Sequence, residues 1–352
     1  MATTTLTIAN ELLSTTHYIL NDQWVDNRHR HSAFMSSLEK VHGRGAPTED
    51  GGSRYVQPLG FYEHSSATRM QSGYELLNMT VTDVHVPAVF TPAHVLQPII
   101  ISRDEEIKNK GDSAVLKILE DRQKQVMNAM YRNWCKRILT GESIAGYEDW
   151  TTLNGIFDTT SGILEEQAIG SQDSSVGGVS KATYSGIPGW QNQRVNLSSS
   201  FNANGLAGLD HLRVRTAAQA PGGSDDMFIF MSLQGYENLK RSLRTYERYV
   251  VEKSTDGADG GKLMSYWDGI PLEMESHMPT DTTVHTSGVI TAYFLDLGSI
   301  HPVWDSEGFF AAEPFETVSG QSDTRASKVR LYGQMCAKHL ASSGIAYDGE
   351  TF

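Results

Sequence analysis

The chain has 352 residues, 39% of them hydrophobic, and 42 acidic against 29 basic residues give a formal charge of −13. That length can bury a sizeable core in one large or two smaller domains. The acidic balance excludes a dedicated nucleic-acid binder, which needs a basic surface or stripe.

The charge deficit lies late in the chain, with 15 basic and 18 acidic residues up to Trp150 and 14 and 24 after it. Cys135 and Cys336 are the only cysteines, too few for a disulfide framework, and a reducing, cytosolic setting fits. The opening MATTTLTIANELL lacks a basic region followed by an apolar one, so no signal peptide is expected. The most apolar window, VHVPAVFTPAHVLQPIIIS, is broken by Pro87, Pro92 and Pro98 and is not a membrane span.

Residues 1–50 contain one short amphipathic helix candidate at 8–15, then polar sequence ending in the turn-rich HGRGAPTEDGGS. They read as an arm rather than as core. From 54 to about 86 the texture becomes strand-like. RYVQPLGFYEH leads to a polar tip, SSATRMQSG, and then to YELLNMTVTDVHV, where Leu77, Met79 and Val81 alternate with Asn78, Thr80 and Thr82. This predicts a long two-stranded hairpin, unstable alone, with its tip at 65–73.

Residues 111–141 predict one long helix. Val115, Leu119, Val126, Met130, Trp134 and Ile138 recur at steps of four or seven, between Asp112 as N-cap and Gly141 as the terminating glycine. Gly and Ser then predict loops to about 208, followed by a helix at 209–218, a buried strand at MFIFM (227–231) and a helix at 233–250. From 272 onward the chain is strand-like, through TAYFLDLGSI, FFAAEPFET and SKVRLYGQMCAKHL. The class is α+β, without the β-α-β alternation of a doubly wound fold.

Catalytic patterns fail their tests. GADGGK at 257–262 has Asp256 where a phosphate loop needs Gly and Leu263 where it needs Ser or Thr. No nucleophile elbow, H-E-x-x-H or zinc knuckle occurs. His29 and His31 read as solvated charges. Asp104, Glu105 and Glu106 read as partners of the following helix's dipole. Asp210 and His211 are sequence neighbours, which does not make a catalytic pair. No catalytic, cofactor-binding or metal residue is assigned, and no cofactor is expected.

One stretch is more informative: GLDHLRVRTAAQAPGGSDDMFIFMSLQGYENLKRSL at 208–243, followed by WDGIPLEMESHMP at 267–279 and TAYFLDLGSI at 291–300. Helix, acidic Gly-rich turn, short apolar strand and helix precede a G-x-P-aliphatic segment, a Met-Pro pair and a strand with an Asp-containing turn. This order resembles the major capsid proteins of tailed bacteriophages, the Hong Kong 97-like fold, from about residue 51 to the end. The resemblance implies an N-terminal arm (1–50), an extended hairpin loop (51–86), a peripheral domain with a long spine helix (87–150), an axial domain (151–290) and return strands of the peripheral domain (291–352).

It implies a structural role and not an enzyme: self-assembly through hexamers and pentamers into an icosahedral shell around double-stranded DNA, bound without sequence specificity. Implied partners are copies of the chain itself, a portal, a separate scaffolding protein and a decoration protein, with no membrane. The location is the virion, after assembly in the host cytoplasm. An encapsulin-like cellular compartment is the alternative, and a hydrolytic enzyme of another fold a distant third. Arg54, Glu63, Arg69 and Glu75 are the candidate inter-subunit contacts on the hairpin. That hairpin region, 51–104, has no Lys, so a Lys–Asn weld between subunits of the kind some relatives make is not expected.

Overall fold

A computed structural model describes residues 31–42, 52–63, 83–108, 118–157, 174–197, 200–221, 226–244, 265–278, 290–318 and 321–349, with a few single positions between 67 and 76. The first element corrects the reading of the sequence after the 8–15 helix candidate as polar and outside the core. Ala33–His42 is a helix (α1) with Ala33, Phe34, Met35 and Leu38 buried. Phe34, Leu38 and Val41 fall at i, i+4 and i+7 and make an apolar face that two serines and a glutamate disguise.

Tyr55–Gly60 (β1) and His85–Phe90 (β2) pair antiparallel from Tyr55↔Phe90 to Gly60↔His85. This is the root of the expected hairpin, carried to Phe90. The expected limb at 77–82 and most of the tip lie outside the described residues. Ala93–Ser102 (β3) alternates buried and exposed positions. Arg103–Lys108 (α2) leads to the long helix, Ile118–Thr140 (α3), 23 residues or about 34 Å. The expected cap Asp112 lies outside the described residues. Gly141 takes φ +74° and donates its N–H to the Arg137 carbonyl at 3.0 Å, which ends the helix as predicted.

Leu153–Ile156 (α4) is capped by Thr152, whose hydroxyl accepts from Gly155 N–H. Ser175–Val176 (β4) and Val179–Ser180 (β5) form a small turn, and Gln193–Asn196 (β6) follows. The next helix, Phe201–Gln219 (α5), begins eight residues before the expected start. Gly205 and Gly208 weaken its helical signature, but a Cβ at Gly205 would stand 2.5 Å from the Phe201 ring, so glycine makes room for that buried aromatic. Met227–Met231 (β7) is buried at all five positions, as expected of MFIFM, and Leu233–Arg244 (α6) follows. The remaining strands are Ser265–Trp267 (β8), Ile270–Met274 (β9), Ile290–Asp296 (β10), Ile300–Trp304 (β11), Ala311–Ala312 (β12), Glu316–Val318 (β13), Gln321–Ala337 (β14) and Gly344–Tyr347 (β15).

Two sheets organise these elements. One has the order β6-β15-β10-β7-β9-β8. The other is built on β14, which pairs with β11, β12, β13 and over ten residues with β3. The expected division at 291 does not coincide with the sheets. β10 belongs with β7, the return to the β3 sheet begins at Ile300, and β15 goes back to the first sheet. The reason is the turn at 297–299, where Asp296 accepts from Gly298 N–H and the Ser299 hydroxyl and reverses the chain into β11.

The larger core joins both sheets to α3. Trp134, Trp150 and Trp304 are each at most 1% exposed, and their ring centroids lie 5.2–5.8 Å apart. The second core lies where α5 and α6 cover the six-stranded sheet. Cys135 and Cys336 are both free and buried.

α1 bridges the two units. Phe34 packs on Trp134 of α3 and edge-on to Phe230 of β7. At the helix start, Glu275 accepts from the Ser32 hydroxyl and Phe34 N–H, both at 2.9 Å. At its end, His42 donates from Nε2 to the Leu297 carbonyl at 2.8 Å and sits 4.9 Å from the buried His301 ring. Burial first, then Lys338 and His42, push the His301 pKa down to about 4. The unfolded chain therefore takes up a proton near pH 6.5 that the folded one refuses until about 4. Stability is complete above 6.5 and falls between 6.5 and 4. Denaturant midpoints followed across that interval should drop, and His301→Gln should flatten the drop; an unchanged slope in the variant would remove His301 as its source.

Candidate assembly surface

The sites tested for chemistry resolve into structural roles. Glu105 receives both guanidinium nitrogens of Arg122 on α3, at 2.9 and 3.1 Å, and the Ser102 N–H at 3.1 Å. The hydrogen bond from Arg122 outweighs burial and holds the Glu105 carboxyl below the usual range. Asp104 pairs with Lys108, and Glu106 lies 3.5 Å from Arg325 of β14. Glu105 and Glu106 thus tie α2 to α3 and to the β14 sheet, while the Asp104 pair lies within α2 itself. The sequence showed their position but not their partners.

Ser32, Glu275 and His277 hold hydrolase-like residue types in the wrong wiring. The carboxylate stands between the other two, accepting from the Ser32 hydroxyl on one oxygen and from His277 Nδ1–H, at 2.9 Å, on the other. A hydrolase needs the imidazole next to the hydroxyl. Here Ser32 is fully buried, and the arrangement caps α1. Asp210 is exposed on α5, and His211 is partly buried, its pKa lowered by burial and then by Arg215. His31 lies 3.3 Å from the Ser36 hydroxyl, while His29 and the loop at 257–262 lie outside the described residues. Among the described residues no three His, Cys, Asp or Glu side chains gather as metal ligands, and no helix is long and apolar enough to cross a membrane.

The surface offers area instead. Tyr55, Leu59, Ala88 and Phe90 bury one face of the hairpin root, and Phe61 anchors it 4.6 Å from the Tyr184 ring and 5.7 Å from Trp190. The opposite face shows Val56, Pro58, Gly60, His85 and Pro87 to solvent. Beyond the root, Tyr62 is 50% exposed, and Tyr74 and Leu76 are 94% exposed. Arg54, Glu63 and Arg69 are exposed, and none joins an ion pair seen among the described residues; Glu75 lies outside the described side chains.

A second exposed face lies on the sheet of β3 and β14. Val95, Ile99, Val329 and Leu331 point into the core, while Leu96, Pro98 and Ile100 point outward. Lys328 stands opposite Pro98 and Arg330 opposite Leu96, both paired with Glu313. Sequence reasoning named the hairpin's charges and missed these apolar positions. In β3 the signal was present as period-two alternation within what reads as one apolar run.

No protein-family model matches the chain, and no curated protein matches it in sequence. Solved structures match its fold over most of its length. The capsid of cyanophage A-1(L) aligns over 96% of this chain and 99% of its own, at 11% identity and a TM-score of 0.60. The capsid of a native GTA particle aligns over 94% and 96%, at 10% identity and 0.57. The holo-SrpI encapsulin complex of Synechococcus elongatus aligns over 93% and 92%, at 9% identity and 0.51. The chain therefore has the fold seen in these structures, which phage-type capsids and an encapsulin share.

Proposed function

We propose that this chain is the major capsid subunit of a tailed phage, assembling through pentamers and hexamers into a closed shell around double-stranded DNA. The observation that carries this is correspondence of the whole chain, not of one domain, to a capsid subunit: 96% of this chain against 99% of the cyanophage protein. The exposed apolar hairpin fits it, because such a segment on a soluble subunit calls for a neighbour to cover it. So does the charge of −13, which disfavours adhesion of packaged DNA to the wall. Arg54, Glu63 and Arg69 are proposed to meet the neighbour as rim charges, each contributing about 0–1 kcal/mol, so that area rather than any one pair holds the shell. A portal, a scaffolding protein and a decoration protein are the further partners of this reading.

Negative-stain microscopy of the purified protein tests it. Closed icosahedral particles are expected, and a monodisperse monomer under all assembly conditions would overturn it. A cellular compartment is the second reading, favoured by the encapsulin match. DNA in particles from infected cells supports the first, and a protein cargo in particles from uninfected cells the second.

The shell should carry no covalent welds through the hairpin. Residues 51–104 contain Arg54, Arg69 and Arg103 but no Lys, and a guanidinium stays protonated and attacks no carboxamide. Mature particles boiled in detergent and reductant should run as one band at 38.8 kDa. A ladder of multimers would show that another lysine supplies the amine.

A further inference from the structure

The hairpin root has two outer edges, and each carries a proline near its centre. Two hydrogen bonds fix which way every backbone N–H points. Phe61 N–H donates to the Val84 carbonyl at 3.1 Å, one step beyond the Gly60↔His85 pair, so the odd-numbered residues of β1 point toward β2. Val56, Pro58 and Gly60 therefore point to the outer edge of β1. On the other strand, Val89 N–H donates at 2.8 Å to Gly177 in the β4–β5 turn, away from β1. Pro87, two residues earlier, shares that outward direction. Pro58 and Pro87 stand directly opposite each other in the register. With both nitrogens outward the pair removes no bond from the hairpin's own ladder. One residue of slip in either strand would turn a proline inward and cost one.

We propose that Pro58 and Pro87 close the two outer edges of the hairpin to strand addition by a second copy of this chain, so that copies associate through its faces. The need for a guard is physical. An exposed strand pair with apolar side chains is a template for another strand, and Val56, 59% exposed, lies on the outer edge. A subunit brought to high local concentration in a shell meets many identical hairpins. Pro58 leaves N–H donors only at Val56 and Gly60, about 13 Å apart at roughly 3.3 Å per residue. An added strand would find no donor midway, and the ring would stand in its path. On β2 the guard is shared, because the Gly177 carbonyl already takes the next outward donor. That turn approaches closely: a Cβ at Gly177, at φ +57°, would stand 2.9 Å from the Phe90 ring. The partner's identity as a second copy rests on the shell reading; the closed edges do not.

The test uses the full chain as free subunits under conditions that suppress assembly. Pro58→Val restores the outward donor. The expected result is loss of the subunit peak in sedimentation velocity and a rise in thioflavin T fluorescence, with circular dichroism showing gained strand. A second variant exchanges the two neighbours on the same edge, Val56→Pro with Pro58→Val. It keeps composition and face, and keeps one proline outward, so it should recover the wild-type sedimentation profile. Wild-type behaviour of Pro58→Val would overturn the proposal. So would equal aggregation of the exchange variant, which would assign the effect to packing. Failure of the wild type to form particles would sink the shell reading and leave this comparison intact.

Discussion

Trp134→Ala lowers the unfolding free energy of the protein by about 3–5 kcal/mol, the range for a large buried aromatic replaced by a methyl group. The ring sits at the junction of four elements. It contacts Phe34 of α1, Trp150 in the loop after α3, and Trp304 of β11, and it is itself the buried face of the spine. Deletion leaves a cavity that none of these rigid neighbours can collapse to fill. Trp134→Phe separates volume from polarity. The Trp134 indole N–H is buried and makes no hydrogen bond among the described residues, so the phenyl ring loses some contact area but also removes a donor unsatisfied there. Its cost should stay below about 1.5 kcal/mol. Denaturant midpoints of the unassembled protein, with the m-value held constant, measure both. Equal losses for the two variants would refute the cavity argument.

Glu275→Ala should be as costly, about 3–5 kcal/mol, because it orphans the partners of a buried charge. The carboxylate is 1% exposed and accepts four bonds: the Ser32 hydroxyl, Phe34 N–H, His277 N–H and His277 Nδ1–H. Burial pushes its pKa up, but the bonds from His277 and Phe34 overcome this and hold it below 4.5. Its contribution is therefore complete above pH 4.5 and lost as the pH falls below that value. The loss should be local first. Hydrogen exchange should show the α1 amides unprotected in Glu275→Ala while those of α3 stay protected. Retained protection at 33–42 would mean that Phe34 and Leu38 alone hold the helix in place.

The elements legible in the sequence are those whose signal is local. The spine announced itself by periodicity, MFIFM by an unbroken apolar run between an acidic turn and a helix, and the end of α3 by Gly141. What stayed hidden depends on distant partners. α1 reads as polar because the carboxylate that caps it lies 243 residues away from Ser32. The division between the sheets could not be placed because one short turn at Asp296 reroutes the chain. The candidate surface was half legible. Charges on the hairpin are visible by identity, but which face of a strand is left bare depends on register, and the register came only from the paired strands.

The position of β15 sets a clock on the chain's birth. The strand at 344–347 lies between β6, with which it runs parallel, and β10. Until residue 347 has been synthesised, β6 has no neighbour in its sheet, though it was made 151 residues earlier. At roughly 5–20 residues per second, that is an interval of about 8–30 s. Throughout it, Val195 and Leu197, which end in the core beside α5, lack the strand that holds them there. The nascent chain thus stays unfinished, with apolar surface uncovered, while those 151 residues are made, and during that interval it is a natural client for chaperones.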